Sequence, residues 1–158
     1  SLNFFYTIIK FFLIASIPFF LIISTILSGS LIIIINLMLN LIWLTSKDFN
    51  ISAQLFFNSL LSDLSNGIAF FIIVLITFFI AFIVTAIIRY FFPIDRRIAY
   101  GLAGFFGILV MLKLTTLVFT GAALIAGMRS ILGLFLLSLC GLSGGYVYGL
   151  LLNKNTKQ

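Results

Sequence analysis

Residues 67–88, GIAFFIIVLITFFIAFIVTAII, carry no charge and nothing more polar than two threonines. A run of that length suits one structure above all, a helix crossing about 30 Å of hydrocarbon. In that solvent every backbone N–H and C=O must be satisfied within the segment, so the chain has little choice but to be helical. The same pattern recurs in IAYGLAGFFGILVMLKLTTLVF, 98–119, and in SILGLFLLSLCGLSGGYVYGLLL, 130–152. Over the whole chain 63% of residues are hydrophobic and 8% charged, too little polar surface to clothe a soluble domain of this size. The expectation is an all-α polytopic membrane protein, with about four transmembrane helices in a single domain over 1–158.

The N-terminal segment admits two readings. Residues 11–46 are almost wholly apolar, and as one helix they exceed the thickness of a bilayer. Either one span covers about 9–34 and the remainder tilts, kinks or follows the interface, or SGS at 28–30 turns the chain into a hairpin of two short spans. Pro18 and Gly29 each permit a bend. Charge favours the single span, because the hairpin would leave a cytoplasmic turn with no charge. The run is also longer than a signal peptide, and no small-residue cleavage site follows it.

Nine Lys and Arg against three acids give a net charge of +6. The basic residues are scattered around the apolar runs, so they read as topology signals and give no footprint for nucleic acid. RYFFPIDRR, with Arg89, Arg96 and Arg97, and the tail with Lys154 and Lys157 are expected on the cytoplasmic side, as is Lys10. Both termini are then cytoplasmic and residues 47–66 lie outside, in what reads as a bacterial inner membrane.

Within that outer connection, Phe49, Ala53, Phe56, Phe57, Leu60, Leu61 and Leu64 recur at helical spacing. Asn50, Gln54, Asn58, Ser62 and Asp63 occupy the other side. An interfacial amphipathic helix over about 48–66 is predicted, with Asp48 as its N-cap and Gly67 as its stop. Its polar side holds no Lys or Arg, so adhesion to anionic lipid is not its purpose.

The last span spaces Gly141, Gly145 and Gly149 by four, with Gly144 beside them, and the preceding one offers Gly101, Gly104 and Gly107. Small residues at this spacing let two helices approach closely in lipid, where apolar burial gives no reward of its own. The facing helix is the other of this pair or belongs to another chain. Asn36 and Asn40, with Thr25 and Gly29, form a second candidate contact face. Lys113 and Arg129 lie at the outer end of the last two spans, where they could meet a lipid phosphate or a partner's carboxylate. Asp63 is the one acid placed to pair with either.

The chain has no His and a single cysteine, Cys140, and its acids, Asp48, Asp63 and Asp95, all fall in connections. Metal and haem sites, proton relays and activated nucleophiles draw on those residue types, so neither a catalytic site nor a cofactor is expected. Two functions remain: an accessory or scaffolding subunit of a larger membrane complex, with membrane lipids and other subunits as partners, or a small oligomeric transporter or channel. The first is favoured, because no internal repeat marks the halves of a transporter.

Overall fold

The structure, a computed structural model, describes residues 2–48, 50, 52–118 and 129–155, with side chains from residue 17 onward apart from residue 66. Among the described residues there are five helices and no strand: α1 (Leu2–Thr45), α2 (Ala53–Asn66), α3 (Ile68–Phe91), α4 (Arg96–Val118) and α5 (Ile131–Asn155). Four segments are long and apolar enough to cross a membrane: Ile17–Thr45, Ile68–Phe91, Arg96–Val118 and Ile131–Asn155. Most hydroxyls within them are satisfied by their own helix. Thr25, Thr77, Thr85, Thr115 and Ser138 each donate to the carbonyl four residues back, at 2.7–2.9 Å.

α1 is one continuous helix of 44 residues, about 66 Å long at 1.5 Å per residue. Pro18 and Gly29 both lie inside it and SGS makes no turn, so the hairpin reading does not hold. Nor does the helix end at residue 34. The apolar segment, Ile17–Thr45, reaches eleven residues past the end of the 9–34 span read from sequence.

The four long helices alternate in direction and follow the order α1–α5–α4–α3 around a bundle. Ser28 of α1 meets Cys140 of α5, Gly104 of α4 meets Gly141, and Gly107 lies against Ala81 of α3. Gly29 of α1 closes the ring against Phe71 of α3. Phe78, Ile32, Ile108, Leu112 and Leu137 fill the centre and are almost fully excluded from solvent. Behind them Phe82 stacks on Tyr148 at 4.3 Å between ring centroids, and Tyr100 sets its edge against both.

α2 crosses the end of the bundle where α1 stops and α3 begins. Ser52, and not Asp48, is its N-cap: Ser52 Oγ accepts from the Leu55 N–H at 3.3 Å. Asp48 instead finishes the turn that ends α1, with its N–H donating to the Thr45 carbonyl. Its φ of 63° is a left-handed conformation that Asp tolerates better than most residues. At the other end Gly67 closes α2 and opens α3 in one residue, since the Phe71 N–H already donates to its carbonyl at 2.9 Å.

Candidate functional site

The glycines of α5 face two neighbours. A Cβ added to Gly141 would fall on the Gly104 carbonyl, one on Gly104 would fall on that of Gly141, and one on Gly145 would fall on the Tyr100 carbonyl. At Gly149 the obstacle is the Arg96 carbonyl, at 2.6 Å. Backbone therefore touches backbone for three turns, and α4 is the helix that the 141–145–149 face meets. Not every glycine of the pair belongs to this contact. Gly101 leaves ordinary room, with nothing nearer than 3.7 Å to its missing Cβ, and Gly107 is turned toward Ala81 and Thr77 of α3.

Gly144, one residue off that face, packs against α1. Its missing Cβ would come within 2.8 Å of Ser28 Cβ and 3.0 Å of the Ser24 carbonyl. Here Ser28 Oγ donates across the helix pair to the Cys140 carbonyl at 2.9 Å. Ser24 is as deeply buried, and its Oγ has no partner among the described residues. Ser24 and Ser28 are themselves a small-xxx-small pair. That spacing could have marked α1 as the second neighbour of α5. Thr25 is buried, Gly29 meets Phe71 on α3, and Asn36 and Asn40 are half-buried on the same side of α1.

The two cations expected at the outer end have different surroundings. Arg129 lies with its guanidinium carbon 5.6 Å from the centroid of the Trp43 ring, a cation–π contact that joins the start of α5 to the end of α1. Lys113 is exposed, and helical spacing sets it half a turn from Gly104, on the side of α4 away from α5. It stands about 8 Å from the end of α4, within reach of the interface for a side chain that snorkels. Among the described residues neither cation forms an ion pair with Asp63. The connection 119–128 lies outside the described residues, as do Lys157 and the side chain of Lys10.

At the opposite end Arg89 ties the α3–α4 turn. Its Nε donates to the Ile94 carbonyl at 3.1 Å, and its guanidinium carbon lies 5.9 Å from the Tyr100 ring centroid. Arg97 is half-buried, and its Nε is enclosed without a hydrogen-bond partner among the described residues.

Four apolar spanning helices around one tightly packed seam define an integral membrane protein. Comparison with protein families, with characterised proteins and with solved structures finds no match to this chain.

Proposed function

We propose that the chain is a non-catalytic accessory or scaffolding subunit of a larger membrane protein complex, seated in a bacterial inner membrane with both termini cytoplasmic. The observation that carries this reading is the coverage of α2. The helix rests on the bundle by one flank, through half-buried Phe56 and Leu60, and leaves the other flank uncovered. Phe57 is 66% exposed and Leu61 71%, beside the neutral polar residues Gln54, Asn58 and Ser62. A surface without Lys or Arg gains little from anionic lipid. Apolar and neutral polar groups side by side suit a protein neighbour at the membrane surface. Lys113 and Arg129, at the same end of the bundle, would supply the complementary charge for an acidic group on that neighbour.

The channel reading has less support. Backbone contact along α4–α5 leaves no room for a water-filled path between those helices, and the buried polar groups of the spans are hydroxyls largely bonded to their own helix. The test is purification in mild detergent from native membrane, comparing the parent chain with a Phe57→Ser/Leu61→Ser variant. Both side chains are exposed, so the isolated variant keeps its thermal stability. The expected result is a stoichiometric companion protein that co-migrates with the parent and is lost from the variant. A parent chain that migrates alone, or a companion indifferent to the variant, overturns the reading.

A further inference from the structure

α3 and α4 approach closely at Gly107 and Ala81, but short side chains leave their outer flank unfilled. Phe78 and Phe82 point inward from α3, into the ring layer formed with Tyr100 and Tyr148. On the flank of the pair the side chains are short: Ala81 on α3, and Ala99, Ala103 and Gly107 on α4. Side chains this short leave the outer flank of the pair hollow. A groove of 570 Å³ results, walled on its open side by exposed residues such as Val84, Leu102 and Phe106. It follows α4 from Ala99 to Leu114, which is about 22 Å at the rise of a helix.

The lining decides what can occupy it. Thr77 and Thr85 bring the only side-chain hydroxyls, and both already donate to carbonyls of α3 at 2.8 Å. A water needs two to four polar partners, and this groove does not provide them. The space is therefore a slot suited to a hydrocarbon chain. It runs well past half of the hydrocarbon thickness, which is about 15 Å.

One end of the slot is cationic. Arg89 is the single charged residue in the lining, and its Nε bond to Ile94 leaves the two terminal nitrogens as donors. Arg96 and Arg97 stand beyond it at the start of α4, against the one acid Asp95, and the buried Nε of Arg97 lacks a partner among the described residues. A guanidinium forks onto phosphate oxygens with good geometry. We propose that the α3–α4 groove is a binding site for an acidic phospholipid, with one acyl chain along the slot and the phosphate beside Arg89.

The test uses fluorescence quenching by brominated lipid. Trp43 is the single tryptophan and sits at the far end of the bundle, so Trp43→Phe with Phe106→Trp leaves one reporter on the wall of the groove. The full chain is reconstituted in phosphatidylcholine vesicles containing a minor fraction of brominated phosphatidylglycerol, or the same fraction of brominated phosphatidylcholine. The expected result is quenching several-fold stronger by the acidic lipid. Arg89→Gln, which removes the head-group contact, and Ala103→Leu, which fills the slot, should each bring the two lipids to parity. Emission from Trp43 in chains that keep it, unchanged by either substitution, shows that the bundle still folds. Equal quenching by both lipids in the parent reporter chain marks an ordinary lipid-facing surface and overturns the proposal. No quenching by either lipid, which means that protein covers the groove, overturns it too, as does a preference that survives either substitution.

Discussion

Where Gly104 and Gly141 face each other, each missing Cβ position is taken by the other's carbonyl, so these two residues can only be glycine while the helices stay this close. Gly145 is held the same way by the Tyr100 carbonyl, an obstacle that cannot rotate aside as a side chain would. Gly101 looks alike in the sequence but has ordinary van der Waals room. The two sites should therefore respond in opposite directions to one methyl group. Gly145→Ala must push α4 and α5 apart and is expected to cost about 1–3 kcal/mol, the usual range for overpacking. Gly101→Ala keeps the contact and removes glycine's disadvantage in a helix, a gain of up to about 1 kcal/mol. Unfolding of the purified chain in detergent, by heat or by denaturing detergent, reads both. Equal effects at the two positions would mean that backbone contact does not set the tolerance. The sequence spacing identified the glycines but could not rank them, because the ranking depends on the rotation of α4 about its own axis.

α2 is the element with the least support, since only one flank touches the bundle, and its stability should lean on its cap. Ser52→Ala removes the bond to the Leu55 N–H and is expected to cost about 1 kcal/mol. Amide hydrogen exchange over residues 54–58 should then quicken about fivefold, the factor that such an energy represents, with α4 and α5 unchanged. Asp48→Ala is the contrasting variant, because Asp48 belongs to the turn that ends α1 and should leave exchange in α2 as it was. If the two substitutions act alike on α2, the N-cap lies elsewhere. Both ends of α1 and α2 show what kind of signal a sequence carries. Asp48 and Ser52 are equally good capping types, and only the direction of the backbone decides between them. Ser28, Gly29 and Ser30 kept a hairpin open as the alternative reading, because in water Ser and Gly release the helix. In hydrocarbon the freed backbone groups would find no partner, so the same residues stay helical and serve as small contact surfaces. The helical periodicity of α2 and the four apolar runs needed no such context. They were legible because length and hydropathy alone determine them.

Across the whole molecule, the order of helices around the bundle was the least legible property, since small faces on α1, α4 and α5 are each able to accept more than one neighbour. Once that order is known, the ends of the molecule are tied together. Gly149 meets the start of α4 at Arg96, so Lys154 near the end of α5 lies at the same end of the bundle as Arg89, Arg96 and Arg97. α2 lies at the other end, with Trp43 and Arg129. By the positive-inside tendency, concentration of basic residues at one end is what the proposed orientation, with that end in the cytoplasm, rests on. Single cysteines at Asn58, Ile94 and Asn155, each in a Cys140→Ser background, turn this into a measurement. All three natural residues belong to exposed or half-buried surface, and Cys140 Sγ makes only a bond to its own helix that a serine hydroxyl can replace. In intact cells a membrane-impermeant thiol reagent should label position 58 and spare positions 94 and 155 until the membrane is opened. The bundle requires 94 and 155 to behave alike, whichever way the molecule faces. Labelling of 94 and 155 from outside, with 58 protected, would reverse the orientation and keep the fold. Opposite behaviour of 94 and 155 would break the antiparallel pairing of α4 with α5, and with it the glycine seam on which the bundle is built.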